Sequence, residues 1–334
     1  MSASRRARLA VTMGDPAGIG PEVALKALAS PAVKSAVEPI LVGDPGVFAD
    51  TAERLGLRLK LVAPQDSAGQ RCVALLPTSD LAPTLRKPGP PKTKRQAAAC
   101  GEAAHRAILG AVRLVQDGDA AGVVTAPISK AHLVAAGHDY PGHTELLAEL
   151  AGNVPVRMML AGPHLRVVLV TIHMALAEVP KRLTRDAITE TIRITNEALR
   201  RQYRIRSPRI AVAGLNPHAG EGGLFGNEEQ RIIAPAVGDA RRRGIKVAGP
   251  LAADGMFVLA AQGKFDALVC MYHDQGLAPF KLQHFADGVN VTLGLPFVRT
   301  SPDHGTAFDI AGKGNADARS MEAALLLAAK LARR

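Results

Sequence analysis

The sequence predicts an α/β fold built around a parallel β-sheet. Short apolar runs, each bounded by polar residues, recur along the chain and suit strands that are buried on both faces. Segments with apolar residues at helical spacing lie between these runs, as in repeated strand–helix–strand units. The 334 residues are 47% hydrophobic and 21% charged, so the chain can bury a substantial core and has the length of two domains.

Seven apolar runs are predicted as strands, at residues 8–13, 39–43, 121–125, 167–172, 210–215, 267–271 and 289–293. Apolar spacing predicts helices over residues 101–116 and 184–203, a helix from residue 146 and a last helix over residues 321–331. Further helices are expected after Pro21, in whose first turn proline is favoured, after Glu228 and after Pro250. Residues 67–99 are rich in Pro, Lys and small side chains and are expected to form surface strands and a loop.

The composition excludes several classes of protein. No apolar stretch approaches the ~20 residues that span a bilayer, and the N-terminal segment is too short for a signal peptide. We therefore expect a cytoplasmic protein without a membrane partner. Cys72, Cys100 and Cys270 are odd in number and widely spaced, which favours neither a disulfide framework nor a thiolate metal site.

The net charge of +11 admits two interpretations. Arginine clusters within residues 200–201, 204–209 and 241–243 match the footprint of a nucleic-acid-binding protein. They also fall at the ends of predicted helices, where cations complement the helix dipole. Aromatic residues make up only 3% of the chain and Trp is absent, so stacking platforms for single strands are scarce. We therefore expect no nucleic-acid partner, and the positive field suits a small anionic substrate.

Three of the predicted strands are each followed at once by a histidine, namely His173, His218 and His273. Parallel strands align their carboxyl ends along one edge of a sheet, which is where open α/β sheets bind ligands. Three imidazoles with an open fourth position are a common catalytic arrangement for zinc or another divalent metal. The alternative is three unrelated loop histidines. Because the chain has only ten histidines, the pattern favours the metal cluster.

A second group of residues has the chemistry to bind phosphate. Lys281, Asn290 and Arg299 follow the last of these three strands, and a guanidinium can bind two phosphate oxygens at once. His143 and Thr144 precede a predicted helix and fit hydrogen-bond donors to a phosphate. Thr144 fits an N-cap equally well. Taken singly, each cation is also explained as a surface charge.

Two glycine-rich loops are candidates for binding a nucleotide. Residues 14–22 join a strand to a helix, but they lack the Lys-Ser/Thr of a P-loop and the third glycine of a dinucleotide fingerprint. Residues 303–314 precede the last helix, and an acidic side chain there can accept hydrogen bonds from a ribose diol. An ordinary loop accounts for each segment at least as well on pattern alone.

Five motifs extend, in order, over nearly the entire chain: MGDPAGIGPE, GHTE at residues 142–145, GLNPHAGEGG, YHDQGLAPFK and VNVTLGLPFVRTSPDHGTA. Together they resemble the 4-hydroxythreonine-4-phosphate dehydrogenases of pyridoxal phosphate biosynthesis. That family is related to the isocitrate and isopropylmalate dehydrogenases, whose cofactor loop resembles HGTAFDIAGKG here. The resemblance implies two α/β/α domains, with an active site in the cleft between them that is shared between the subunits of a homodimer.

The resemblance also implies oxidation of 4-phosphooxy-threonine by NAD, with NADP as an alternative, and loss of carbon dioxide to give 3-amino-2-oxopropyl phosphate. One divalent metal ion, zinc, cobalt or magnesium, is implied to be held by His173, His218 and His273. The implied substrate-binding residues are His143, Thr144, Lys281, Asn290 and Arg299. Cofactor contacts are expected from His304, Gly305 and Asp309. The candidate catalytic residues are Asp254, Asp274 and Lys281, with the two aspartates orienting a ligand imidazole or the reacting amine.

Two departures from the family pattern leave the substrate open. Gly255 stands where a Thr is common, and Leu224-Phe225 stand where a His is often found. Some relatives oxidise 4-phospho-threonate and others aromatic cis-dihydrodiols, and the cations at 281 and 299 favour a phosphorylated substrate. A metal-dependent phosphohydrolase is a further alternative, but such enzymes ordinarily need carboxylate-rich or two-metal ligation.

The domain boundaries expected from the motifs are residues 1–137 with 286–334 for the first domain and 138–285 for the second. The first domain is expected to bind the cofactor. The second is expected to carry the metal ligands and to form the dimer contact.

Overall fold

The computed structural model describes residues 6–66 and 72–333 and has an α/β fold, as the sequence predicts. The chain forms two compact units, here called unit 1 and unit 2. Unit 1 comprises Met1–Val154 with Leu295–Arg334, and unit 2 comprises Pro155–Gly294. Each unit has its own strands and its own covering helices.

Unit 1 opens with alternating strands and helices. Its first five strands are β1 (Ala7–Thr12), β2 (Val37–Gly43), β3 (Lys60–Val62), β4 (Cys72–Pro77) and β5 (Gly122–Thr125). Its first six helices are α1 (Gly20–Ala29), α2 (Pro31–Ala36), α3 (Pro45–Arg54), α4 (Lys94–Gln116), α5 (Lys130–Ala135) and α6 (His143–Leu150).

Unit 2 continues the alternation. Its strands are β6 (Arg157–Ala161), β7 (Arg166–Leu169), β8 (Ile210–Ala213), β9 (Val247–Leu251), β10 (Ala267–Cys270) and β11 (Val289–Leu293). Its helices are α7 (Val179–Arg182), α8 (Arg185–Arg201), α9 (Ala234–Arg242), α10 (Ala253–Ala261) and α11 (His273–His284). A short 3₁₀ segment at Leu176–Glu178, an irregular turn over Pro217–Gly223 and a π-helical turn at Glu229–Ile233 complete the unit.

The chain returns to unit 1 with β12 (Val298–Pro302) and α12 (Arg319–Ala332). The strands of this unit have the order β3-β4-β2-β1-β5-β12, and each neighbouring pair is parallel. Leu9, Ala10 and Val11 of β1 are fully buried, as expected for a central strand covered on both faces. Helices α4 and α12 pack against these strands.

The strands of unit 2 have the order β11-β6-β7-β10-β8-β9. β6 is antiparallel to both of its neighbours, whereas β7, β10, β8 and β9 are parallel. Alternate residues of β10, Leu268 and Cys270, share one core cluster with Met256 of α10 and with Leu277 and Phe280 of α11. Helices α10 and α11 therefore cover the same face of the sheet.

Most predicted elements are present, with shifted ends. The strand over residues 289–293 is found with the predicted bounds, and the strands that precede the three histidines end a little earlier than predicted. Helix α4 starts at Lys94 rather than at residue 101, because the Oγ1 of Thr93 accepts a hydrogen bond from the Gln96 amide and caps it. Residues 67–71 of the segment predicted to form surface strands lie outside the described residues, and its remainder holds β4.

Two expectations near residue 143 need correction. Helix α6 begins at His143 rather than at residue 146, so Thr144 lies within its first turn and is not the N-cap. Gly142 takes the N-cap position without a side-chain cap.

The unit boundaries fall after residues 154 and 294 rather than after residues 137 and 285. The packing explains both differences. Helix α6 packs against α4 and so stays with unit 1. Strand β11 pairs along its length with β6, from Val289 opposite Ala161 to Leu293 opposite Arg157, and so stays with unit 2. None of the described helices is both long enough and apolar enough to cross a membrane.

Candidate active site

The three strands that precede the histidines are adjacent and parallel in unit 2. Leu268 of β10 lies opposite Val167 of β7 on one side and opposite Ala211 of β8 on the other. The carboxyl ends of β7, β10 and β8 therefore lie side by side, as the sequence predicts. The loops or turns that follow these ends carry His173, His273 and His218, respectively.

His273 is oriented by its neighbour. It is the first residue of α11, and its Nδ1 lies 2.7 Å from Oδ1 of Asp274. When Nδ1–H donates to this carboxylate, the lone pair of Nε2 is left to bind a metal. The His173 and His273 ring centroids are 5.8 Å apart, with the planes at 41°. The structure thus brings these two histidines together and gives Asp274 a positioning contact.

Gln275 links the ends of two strands and was not singled out by the sequence. Its Oε1 accepts a hydrogen bond from the amide of Met271, just past β10, at 2.7 Å. Its Nε2 donates to the carbonyl of Gly214, just past β8, at 2.6 Å. One amide side chain therefore fixes the strand ends that precede His273 and His218.

His218 lies in a backbone segment of unusual conformation. Six consecutive residues have positive φ: His218 (51°), Ala219 (51°), Gly220 (82°), Glu221 (42°), Gly222 (66°) and Gly223 (107°). Side chains with a Cβ rarely adopt this region, and such strain persists only where surrounding contacts hold it. The ring of His218 lies 6.2 Å from that of Phe225, centroid to centroid.

Glu229 fixes the backbone that leads into this segment. Its side chain is only 4% exposed, and its Oε1 accepts hydrogen bonds from the amides of Leu215 and Asn216, both at 2.8 Å. Its Oε2 accepts from Nδ2 of Asn216 at 3.0 Å. A Cβ on Gly220 would lie 2.7 Å from the same Oε2, so glycine is required at this contact. The sequence indicated Glu229 only as an acidic residue in a first helical turn.

The three histidines offer the right donors for a divalent metal, but they are not gathered at ligand distance. Within residues 6–66 and 72–333, the three-residue group whose ligand atoms all lie within 4.8 Å of one another is Glu102, His105 and His138 of unit 1. The imidazole chemistry of His173, His218 and His273 fits zinc, cobalt and related ions.

Of the predicted phosphate-binding residues of unit 1, Arg299 is fully buried and His143 and Thr144 are half-buried. Arg299 of β12 is 2% exposed and donates from Nη2 to Oγ1 of Thr125 at 2.6 Å. Burial lowers the pKa of Arg299 to about 9, and the charge of Glu145 opposes this shift. A cation held in the interior strongly attracts an anion, because little water screens it there.

His143 interacts electrostatically with Arg299. Burial, and then the positive charge of Arg299, lower the pKa of His143 well below its usual range, so the imidazole is neutral near pH 7. Its Nε2 is shut off from solvent and has no hydrogen-bond partner among the described residues. His143 and the half-buried Thr144 occupy the first turn of α6, where backbone amides and the helix dipole favour an anion.

The other predicted substrate and catalytic residues belong to unit 2. Lys281 lies on α11, and Asn290 lies on β11 with its Oδ1 buried and without a hydrogen-bond partner among the described residues. Asp254 is exposed in the first turn of α10, where its Oδ1 accepts a hydrogen bond from the amide of Gly255 at 2.7 Å. No described contact joins Asp254 to the three histidines.

The predicted cofactor residues lie in the loop between β12 and α12. His304 Nδ1 is 3.1 Å from the carbonyl of Gly305, its Nε2 is buried without a described partner, and Asp309 is exposed. The amide of Ile19 donates to the carbonyl of Thr306 at 2.9 Å, which ties this loop to the glycine-rich loop over residues 14–22. Residues of both loops line a common surface depression.

Comparisons with known sequences and structures agree on one protein family. The sequence profile described as "Pyridoxal phosphate biosynthetic protein PdxA" matches residues 35–328. A 4-hydroxythreonine-4-phosphate dehydrogenase of Geobacter metallireducens is 53% identical over 330 residues, which cover 98% of this chain and 96% of that protein. The crystal structure of a 4-hydroxythreonine-4-phosphate dehydrogenase from Klebsiella pneumoniae superposes with a TM-score of 0.89 at 41% identity, covering 100% of both chains.

A solved structure with a different activity is also similar. A terephthalate 1,2-cis-dihydrodiol dehydrogenase from Burkholderia xenovorans has a TM-score of 0.67 at 32% identity, covering 97% of this chain and 98% of that one.

The neutral, half-buried His143, whose Nε2 is shut off from solvent, predicts a pH dependence of stability. Below the usual histidine pKa of about 6.5, the unfolded chain takes up a proton that the folded chain resists, so this residue lowers the stability as the pH falls. Replacing it in His143→Gln should make the loss of stability between pH 7 and pH 5 smaller by about 1–2 kcal/mol. Urea denaturation at the two pH values measures the difference. His164→Gln, at an exposed position, is the matched control, and equal losses in wild type and His143→Gln would contradict the assignment.

Proposed function

Because this chain belongs to the PdxA family of pyridoxal phosphate biosynthetic proteins, we propose that its active site oxidises 4-phosphooxy-L-threonine, which is 4-hydroxythreonine 4-phosphate, with NAD. The family activity is that of an NAD-dependent oxidoreductase of pyridoxal phosphate biosynthesis. We propose that decarboxylation follows the oxidation, giving 3-amino-2-oxopropyl phosphate, and that the enzyme acts in the cytoplasm.

The observation that carries the substrate assignment is the buried Arg299 beside His143. A phosphate is a compact anion that accepts several hydrogen bonds, and the region of Arg299 and the α6 N-terminus offers a cation, helix amides and an unpartnered imidazole nitrogen. The terephthalate cis-dihydrodiol of the Burkholderia relative carries planar carboxylates, which accept hydrogen bonds mainly in one plane. The donors of Arg299 and of the α6 N-terminus come from two different elements and suit the tetrahedral phosphate better, which favours a phosphorylated substrate. We propose Thr144 as a further donor to the phosphate.

In unit 2 we propose Lys281 and Asn290 as substrate-binding residues. Lys281 supplies a second positive charge, and the buried Oδ1 of Asn290 can accept a hydrogen bond from the substrate. Lys281 can also relay a proton. Asp254 remains a proposed catalytic residue because it is exposed and can reorient when substrate binds.

We propose that His173, His218 and His273 hold one divalent ion. When bound, such an ion supplies a Lewis acid that withdraws charge from the oxygens of the hydroxy acid and of its keto product. Asp274 then fixes the tautomer of His273 through the 2.7 Å contact to Nδ1. Glu229 keeps the His218 segment in its left-handed conformation, so its role is positioning rather than catalytic.

The proposed reaction transfers a hydride, releases a proton and then releases carbon dioxide. The C3 carbon gives up a hydride to NAD, and the C3 hydroxyl gives up a proton, leaving a β-keto acid that loses carbon dioxide. We propose that His304, Gly305 and Asp309 contact the cofactor. In support, their loop adjoins the glycine-rich loop over residues 14–22, where close backbone approach by a dinucleotide is possible.

The outer faces of α10 and α11 support a homodimer. Leu282 and Phe285, in and next to the last turn of α11, are 90% and 82% exposed, and Val258 of α10 is 59% exposed. Both helices cover the same sheet face, so these apolar side chains point away from a common core. We propose that a second copy of the chain covers them, since burial of apolar surface stabilises association by about 25 cal/mol per Å² before the costs of association. We also propose that the active site is shared between the two subunits; α11 carries both His273, at its start, and Leu282, in its last turn.

The activity can be tested by following NADH formation. Purified protein with Zn²⁺ or Co²⁺, NAD and 4-phosphooxy-threonine should produce NADH, and Arg299→Ala should raise KM by about 10–100-fold because a charge-assisted contact to phosphate is lost. Arg319→Ala removes an exposed arginine that pairs with Asp317 and is the matched control.

Parallel reactions contain 4-phospho-threonate and a cis-dihydrodiol. Faster turnover of 4-phospho-threonate would assign the alternative phosphorylated substrate. Absence of NADH with both phosphorylated compounds, or an unchanged KM in Arg299→Ala, would contradict the proposal.

The dimer can be tested by light scattering after size exclusion. Wild type should have twice the chain mass of 34.9 kDa, and Leu282→Glu with Phe285→Glu should shift it to a single chain, because two carboxylates would have to be buried in the contact. Val134→Glu, at an exposed apolar position on α5, should leave the mass unchanged. A wild-type protein of single-chain mass, or a double variant that stays dimeric, would rule out this surface.

A further inference from the structure

A cluster of metal-ligating side chains in unit 1 shares no residue with the proposed substrate, cofactor and three-histidine sites. Glu102 and His105 are three residues apart on α4, so both project from one side of the helix. His138 comes from the turn between α5 and α6, and its Nε2 lies 2.7 Å from Oε2 of Glu102. The His105 and His138 rings are stacked, with centroids 3.6 Å apart and planes at 18°. The candidate ligand atoms of the three residues all lie within 4.8 Å of one another.

We propose that Glu102, His105 and His138 form a second divalent-metal site. Two imidazoles and one carboxylate are a common protein ligand set for zinc, with ligand distances near 2.0–2.2 Å. The three side chains are half-buried, so they are held by the fold while a fourth position stays open to water. The ligand atoms lie within 4.8 Å of one another, and because imidazole lone pairs lie in the ring plane, the stacked His105 and His138 rings would turn out of parallel to reach a common ion.

The donor atoms of these three side chains favour some metal ions over others. Nitrogen donors suit zinc, cobalt, nickel and copper, whereas calcium and magnesium prefer oxygen donors. Arg106 donates from Nε to Oε1 of Glu102 at 2.6 Å, so that oxygen is already occupied and Oε2 is presented to the ion. An oriented carboxylate of this kind strengthens a metal site. The ion would replace the present hydrogen bond between His138 and Glu102.

The position of His138 gives the site a consequence for the substrate-binding segment. His138 follows Gly137, which has φ 89°, and precedes the start of α6 at His143. A bound ion would connect α4 to this short segment and limit its motion. The α4–α5 contact beneath it is close, since a Cβ on Gly101 would lie 1.9 Å from the carbonyl oxygen of His132. The ion would thus hold the segment that positions His143, without contacting substrate.

Metal stoichiometry tests this site separately from the proposed three-histidine site. Zn²⁺ or Co²⁺ bound per chain would be measured after equilibrium dialysis for wild type, for His105→Ala with His138→Ala, and for His218→Ala. We expect two ions per chain in wild type and one in each variant, with turnover lost by His218→Ala. His164→Ala, an exposed histidine of unit 2, is the matched control and should still bind two.

Glu102→Gln keeps the size of the side chain and should weaken binding of the second ion by at least about tenfold. Circular dichroism should show an unchanged fold. If the three histidines bind no metal, wild type and His218→Ala would both bind one ion per chain. His105→Ala with His138→Ala would then bind none. Equal metal content in wild type and in the folded double variant would overturn the second site. An unchanged affinity for the second ion in Glu102→Gln would also overturn the second site.

Discussion

The parallel register of β7, β10 and β8 is the constraint on which the proposed chemistry depends. Each strand is short and buried, and each is followed by a histidine, so the register decides whether the three imidazoles share one edge. Gln275 reinforces this edge by bonding to backbone groups beyond two of the strands. The metal-binding proposal is thus a consequence of sheet topology, which aligns residues that are far apart in the sequence.

Unfavourable local energies are concentrated around the candidate functional residues. The segment over residues 218–222 is left-handed, and Arg299 is a charged side chain in the interior. Each is supported by neighbours: Glu229 accepts hydrogen bonds from the backbone before His218, and Thr125 accepts from Arg299. Backbone strain and buried charge persist only where the surrounding structure holds them. In a binding site they favour ligand binding, because the groups are already in place before the ligand arrives. The same residues are therefore expected to limit stability.

The sequence predicted the α/β class and the order of strands and helices, because buried strands and amphipathic helices leave strong local patterns. It also predicted that His173, His218 and His273 follow adjacent strand ends. It did not predict that α6 starts at His143 or that α6 and β11 belong to units 1 and 2, respectively, because those facts depend on packing against α4 and pairing with β6. Glu229, Gln275 and the Glu102–His105–His138 group were missed for the same reason, since their partners come from other elements.

Removal of one histidine tests the central claim most directly, because the three-histidine site links the sheet topology to the proposed reaction. The measurement is metal content together with NADH formation from 4-phosphooxy-threonine for His218→Ala, with circular dichroism to establish that the fold is retained. We expect one ion fewer per chain and a loss of turnover of at least about a thousandfold, which corresponds to about 4 kcal/mol of transition-state stabilisation. A folded His218→Ala protein with wild-type metal content and full turnover would contradict it.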